Sequence, residues 1–271
     1  MEKNTLKFIV ILILLVFVSM PIVTSPVLDL KQQRESEALY QKLIKARKEK
    51  GQIIYLTGRF DPAEREDFVL IPEQYTITQN KMYLRKEAFE AYLQMQGAAD
   101  EDEVDLKIAS ATRNFDYQKN IWNNKWTGFT LVEEKDLSKS FPDGEDRFEK
   151  ILEYSAVPGT SRHHWGTEID INNANPEYFE GELGEEVYEW LTKNAPLFGF
   201  CQTYNSKGSD RPTGYNEEKW HWSYLPLARV FTQKYKNLIK DEDIKGFMGD
   251  EYVPEMNLIN NYVLSINPEC I

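Results

Sequence analysis

All three histidines of the chain, His163, His164 and His221, fall in two aromatic-rich segments bounded by turn residues. The first reads Pro158-Gly-Thr-Ser-Arg-His-His-Trp-Gly-Thr-Glu-Ile-Asp170, and the second Thr213-Gly-Tyr-Asn-Glu-Glu-Lys-Trp-His-Trp-Ser-Tyr224. Histidine, carboxylate and histidine form a common hydrolytic zinc set, with the fourth position left to water. In an extended segment, Glu168 and Asp170 share the face opposite Ile169 and Ile171. One of those carboxylates can therefore enter a site while the isoleucines fill a core. Glu218 and His221 stand three residues apart in the second segment. That spacing brings a carboxylate beside a metal-bound water without making it a ligand, and such a group can act as general base. A single histidine near a carboxylate is an ordinary structural pair. Confinement of every histidine to two Gly- and Trp-flanked segments is what marks these.

Other catalytic arrangements are missing from the sequence. It has no Ser-x-x-Lys, no Gly-x-Ser-x-Gly elbow, no His-Glu-x-x-His, no phosphate loop and no Gly-x-Gly-x-x-Gly. Neither Cys201 nor Cys270 has a histidine neighbour in sequence, which argues against a cysteine nucleophile.

The two segments must be held by regular elements. Residues 27–50 are polar and helix-prone with a thin apolar stripe, and Ile53 to Leu56 predicts a short strand. Asp61-Pro62 opens a loop. Residues 84–97 predict an amphipathic helix ending near Gly97. Leu106 to Ser110 alternates as a strand, and Asn114 caps a helix running to Trp126 and stopped by Gly128. Further helices are expected over Asp143–Tyr154, Glu185–Asn194, Leu225–Leu238 with Pro226 in its first turn, and Tyr252–Leu264. Thr167–Ile171, Phe198–Tyr204 and Lys219–Tyr224 read as strands. Helices mixed with short scattered strands predict an α+β fold with a small antiparallel sheet rather than a doubly wound parallel one.

At the start of the chain, Lys3 and Lys7 precede an unbroken apolar run from Phe8 to Val18. A basic stretch followed by a short apolar run is the pattern of a secretory signal, and the run is shorter than the roughly 20 residues of a spanning helix. Small residues at Val23-Thr24-Ser25 suit cleavage, whereas Pro26 disfavours it, so residues 1–25 read as a signal peptide or a retained signal-anchor. The expected organisation is 1–25 signal, 26–75 linker helix and extension, 76–240 catalytic domain and 241–271 helical extension. The expected location is extracytoplasmic, in the periplasm or cell envelope. There, Cys201 and Cys270 either form a disulfide or remain two reduced cysteines.

The chain has 271 residues, 41% of them hydrophobic and 28% charged, which suits a folded protein with one large core. Its net charge of −12 disfavours nucleic-acid binding and electrostatic docking on anionic lipid. Membrane contact is expected only through the N-terminal segment.

Three blocks together resemble the VanY-type zinc D-alanyl-D-alanine carboxypeptidases, relatives of the D-Ala-D-Ala dipeptidases. They are Ser161-x-His163-x-x-Gly166-x-x-x-Asp170, Glu218-x-Trp220-His221 preceded by Thr213-Gly214-Tyr215, and Ser110-Ala-Thr-Arg113-Asn114 through Gln118. Asn114 stands where the family's segment usually has Ser. The likeness covers roughly residues 80–240. It implies a Hedgehog/DD-peptidase-like fold, with the zinc site on the face of the small sheet. It also implies His163, Asp170 and His221 as ligands of Zn2+, and Glu218 as general base and then acid. Arg113 would stabilise the oxyanion or hold a substrate carboxylate, with Gln118, Ser161 and Tyr215 lining the substrate site. His164 lies outside the pattern and reads as a support behind the ligands or a packing residue, Glu168 and Glu217 read as decoys for Asp170 and Glu218, and Trp165, Trp220 and Trp222 read as walls of cleft and core. The implied substrate is the peptidoglycan stem peptide. An L,D-carboxypeptidase or an endopeptidase would use the same residues. A silent wall-binding domain would be expected to lack a ligand or the glutamate, and all four are present.

Overall fold

The computed structural model describes residues 30–271. The signal or anchor expected over residues 1–25 lies outside them. Among the described residues, no helix is long and apolar enough to cross a membrane. The described residues fall into two units, divided between Lys48 and Glu49. Helix α1 runs from Leu30 to Leu56, and its residues up to Lys48 are exposed. The strand expected at Ile53–Leu56 is therefore the helix's last turn. Leu56 is buried there, and Ile53 and Tyr55 pack on the core, so tertiary contact overrides the strand preference of this run.

The second unit is built on a four-stranded antiparallel sheet, with a smaller hairpin beside it. The hairpin pairs β1 (Phe68–Leu70) with β2 (Tyr83–Arg85). The main sheet contains β3 (Ile108–Ser110), β4 (Glu168–Ile171), β5 (Phe200–Gln202) and β6 (His221–Tyr224), in the order β3-β4-β6-β5. Helix α2 (Lys86–Glu101) buries Ala88, Phe89, Tyr92, Met95 and Ala99 along one stripe. It passes through Gly97 instead of ending there. Gly97 is exposed, and continued burial at Ala99 offsets the roughly 1 kcal/mol that glycine costs within a helix. Helix α3 (Phe115–Trp126) starts as expected: the Asn114 side chain accepts from the backbone N–H of Tyr117. Helix α4 (Leu137–Ser140) is a single turn, and α5 (Gly144–Leu152) is capped by Asp143. Helix α6 (Glu182–Asn194) precedes β5, and α7 (Leu225–Leu238) follows β6 directly, with Pro226 in its first turn.

Strand alternation divides the interior into two cores. Ile169 and Ile171 of β4 and Trp222 of β6 face a core shared with α2 and α6. A second core gathers Trp122 of α3, Phe148 and Ile151 of α5, Phe231 and Tyr235 of α7, and the C-terminal residues Val253, Leu258 and Val263. The single helix expected over Tyr252–Leu264 is instead broken into pieces. A short α8 (Val253–Met256) ends at Asn257, whose φ of 46° is left-handed, and a π-turn follows over Ile259–Val263. Asparagine tolerates that conformation better than most residues. Cys201 in β5 and Cys270 form a disulfide with Cα atoms 5.7 Å apart.

Candidate metal centre and substrate cleft

Antiparallel pairing places the key residues. In the β4–β6 register, Asp170 stands opposite His221 and Glu168 opposite Ser223. Cross-strand partners share a face, so all four side chains emerge on the side away from the Ile169–Ile171 core. His163 comes from a short 3-10 turn, Arg162–Trp165, that leads into β4. Gly166 ends that turn with φ of 73°. A Cβ there would lie 2.4 Å from the Phe68 ring, so the turn needs glycine for both conformation and space.

His163, Asp170 and His221 are each at most 3% exposed, and one ligand atom from each meets in a compact cluster. His163 Nε2 lies 3.2 Å from His221 Nδ1 and 3.3 Å from Asp170 Oδ1. His221 Nδ1 lies 3.2 Å from the same oxygen. Donors on a tetrahedral zinc with bonds of about 2.0 Å stand about 3.3 Å apart, so these three atoms outline one face of such a tetrahedron.

The outer hydrogen bonds fix which nitrogens are free. His163 Nδ1 faces the backbone carbonyl of Ala111 at 2.6 Å, and a carbonyl only accepts, so Nδ1 carries the proton. Burial, reinforced by the charge of Arg113, lowers His163 to about 4 and keeps its ring neutral. His221 Nε2 faces Glu168 Oε2 at 3.0 Å and donates to it. Burial opposes the charge of Glu168, but Arg162 and His221 outweigh it and hold the carboxyl at about 2. With His221 neutral, the lone pairs of His163 Nε2 and His221 Nδ1 would both face Asp170 Oδ1, a buried oxygen with no hydrogen-bond partner among the described residues. Two imidazole nitrogens and a carboxylate oxygen this close together suit a cation. Burial disfavours a proton on His221, yet its contacts with Asp170 and Glu168 raise it to about 9. A metal ion would displace that proton. The donor set, the orphaned oxygen and the tetrahedral spacing all fit zinc.

Behind the three candidate ligands lies a polar shell that includes Glu168 and His164. Glu168 receives the hydroxyls of Thr203 at 3.3 Å and Thr167 at 3.1 Å, and that of Ser223 in a short contact. Arg162 Nε stands 3.4 Å from Glu168 Oε1, and the two side chains are fully buried. The strand alternation had already put Glu168 on the face of Asp170. Nothing in the linear sequence, however, shows that it reaches the site through the far side of His221. His164 serves in a similar way: its Nδ1 donates to the Arg113 carbonyl at 2.6 Å, and its Nε2 accepts from the Gly159 N–H at 2.9 Å. Arg113 also donates its own N–H to the His163 carbonyl, so both histidines brace its backbone.

Glu218 Oε2 lies 3.4 Å from His221 Nδ1, beside the cluster. Burial pushes its carboxyl up to about 7, with the charge of Asp170 adding to this and those of His221, Arg113 and Lys125 opposing it. The neighbouring Glu217 is only partly buried and does not line the cleft. Arg113 Nη2 approaches Asp170 Oδ2 at 3.8 Å. A cavity of about 150 Å³ opens over the cluster, and Arg113, Gln118, Ser161, Tyr215 and Glu218 all line it. Gln118 donates Nε2 to the Ala156 carbonyl at 2.7 Å. Its Oε1 and the Tyr215 hydroxyl are buried with no hydrogen-bond partner among the described residues. Trp220 lines the cleft and also packs in the core beside Trp222, whereas Trp165 packs in the second core.

The chain is 28% identical over 193 residues to the putative carboxypeptidase YodJ of Bacillus subtilis, covering 70% of this chain and 61% of that protein. It is 31% identical over 152 residues to a D-alanyl-D-alanine carboxypeptidase of Enterococcus faecalis, covering 56% of this chain and 52% of that one. The matched regions thus span between half and two thirds of those relatives. A solved structure of VanYB in complex with D-alanine-D-alanine is 26% identical, with a TM-score of 0.45, covering 69% of this chain and 93% of that one. The family model of the VanY D-alanyl-D-alanine carboxypeptidases matches residues 81–227, more than half of the chain and every residue of the cluster and its cleft named above. On that match, the chain belongs to the VanY D-alanyl-D-alanine carboxypeptidase family.

Proposed function

We propose that this protein is a zinc-dependent carboxypeptidase of the peptidoglycan stem peptide, hydrolysing the terminal D-Ala-D-Ala amide outside the cytoplasm. The observation that carries this reading is the meeting of one nitrogen from each of two imidazoles and one carboxylate oxygen, 3.2–3.3 Å apart, beside Glu218. His163, Asp170 and His221 would hold the ion. Bound zinc would lower the pKa of a water toward about 7 and polarise the scissile carbonyl.

The remaining work falls to the chain's own side chains. Glu218 takes the proton from the attacking water and returns it to the departing amine. A carboxyl poised at about 7 by burial suits both directions of that transfer. Arg113, with its backbone braced and its guanidinium at the cleft, stabilises the developing oxyanion. The unpaired Gln118 Oε1 accepts a substrate N–H, and the Tyr215 hydroxyl donates to a substrate oxygen. Ser161 lines the same wall.

The test incubates zinc-loaded protein with muropeptides ending in D-Ala-D-Ala and with tetrapeptides ending in one D-Ala, with and without chelator. Loss of one alanine from the pentapeptide alone, abolished by chelator, is the expected result. Release from the tetrapeptide would move the specificity to the L,D bond, and no cleavage of either would overturn the reading.

A further inference from the structure

The cleft contains a second cation that this mechanism leaves without a task. Lys125, in the last turn of α3, lines the cavity together with Ser155, which follows α5. Its Nζ donates to Ser155 Oγ at 2.5 Å. Among the described residues, no carboxylate forms an ion pair with it. Burial and the charge of Arg113 both oppose its protonation, and Glu218 partly favours it. An ammonium that is half desolvated and unpaired costs stability, so a cleft that retains one has an anion to offer it.

The charge balance points the same way. Three cationic side chains line the cavity, Arg113, Lys125 and Arg162, against two carboxylates, Asp170 and Glu218. Arg162 is matched by Glu168 behind the cluster. A divalent ion at the cluster would leave the cleft with two positive charges in excess. The hydrogen-bond pattern gives that excess a shape. Ser155 Oγ accepts from Lys125, so its own proton is left to donate outward. Ammonium and hydroxyl then form adjacent donors, matched to the two oxygens of one carboxylate. Ile121, Ala156 and Ala174 line the same cavity and give an apolar surface for a methyl side chain.

We infer that Lys125 and Ser155 together bind the free C-terminal carboxylate of the substrate, which leaves Arg113 to the scissile carbonyl. This inference rests on the carboxypeptidase reading above and assigns the residues that make the enzyme act at chain ends. A charge-assisted hydrogen bond of this kind is worth about a 10- to 100-fold change in affinity.

The experiment compares acetyl-L-Lys-D-Ala-D-Ala with its C-terminal carboxamide, using zinc-loaded wild type, Lys125→Gln and Ser155→Ala. The wild type should prefer the free acid. Lys125→Gln should raise KM for the acid by about 10- to 100-fold, change kcat far less, and erase the preference over the carboxamide. Ser155→Ala should show the same pattern more weakly. Zinc content equal to wild type guards against a misfolded variant. Preserved discrimination in Lys125→Gln would overturn the inference while leaving the carboxypeptidase reading intact. Calorimetric binding of the acid to zinc-loaded Glu218→Gln separates the opposite failure. If the wild type cleaves nothing, yet the acid binds and Lys125→Gln abolishes that binding, the carboxylate site stands and the hydrolytic reading falls. No binding and no cleavage would remove both.

Discussion

At the scale of single residues, buried hydrogen bonds set the protons of the cluster in place. Glu168 fixes the His221 tautomer and is itself held by buried Arg162. Glu168→Gln should weaken zinc binding by about 10- to 100-fold, measured by competition with a chromogenic chelator. Unchanged affinity would show that Glu168 does not orient the ligand. The same substitution leaves Arg162 uncompensated in the core and should cost about 3–5 kcal/mol in denaturant unfolding. The pH dependence has a definite sign. Glu168 has its folded pKa depressed from 4.5 to about 2. Its contribution is therefore complete above about pH 4.5 and lost as pH falls through about 2. The stability gap between metal-free wild type and Glu168→Gln should narrow over that window, and a gap that widens on acidification would contradict the assignment. His163, Asp170, His221 and Glu218 were legible as a set because chemistry restricts their types. Glu168 was visible only as a neighbour on the right strand face, and Lys125 and Arg162 gave no sign, because a lysine or arginine on a helix or turn looks the same whether it faces solvent or a cleft.

Among the elements, β4 and β6 do most of the positioning. Their register puts Asp170 against His221 and Glu168 against Ser223, so a slip by one residue would carry both carboxylates into the apolar core. The turn that delivers His163 depends on Gly166. Gly166→Ala should destabilise the protein by about 1–3 kcal/mol, through left-handed backbone and contact with Phe68, and should lower zinc occupancy with it. Wild-type unfolding in that variant would show that the turn yields without cost. Strand alternation and helix caps made most elements readable in the sequence, including α3 from Asn114 and α7 from Pro226. The failures share a cause. At Ile53–Leu56 and at Gly97, burial of a few side chains decided the outcome against local preference. At Asn257, a left-handed residue broke a segment whose apolar pattern is continuous.

For the whole molecule, the C-terminal residues share a core with α3, α5 and α7, and the Cys201–Cys270 bond joins strand β5 to the end of the chain across 69 residues. The sequence left that pairing open, because two cysteines so far apart meet only through the fold. Closing a loop of this length restricts the unfolded chain by about 4 kcal/mol, so Cys270→Ser should lower the unfolding free energy by roughly that amount. An unchanged denaturation midpoint would mean that the bond contributes nothing. Zinc should act on the same equilibrium, raising the melting temperature in proportion to its occupancy, since the donor cluster exists only when β4, β6 and the His163 turn are assembled. The most direct test of the central claim measures zinc content and D-Ala release together in wild type and Glu218→Gln. The account predicts one zinc per chain in both proteins and a loss of turnover by about 100- to 10,000-fold in the variant. Full zinc with near-wild-type hydrolysis in Glu218→Gln would contradict it.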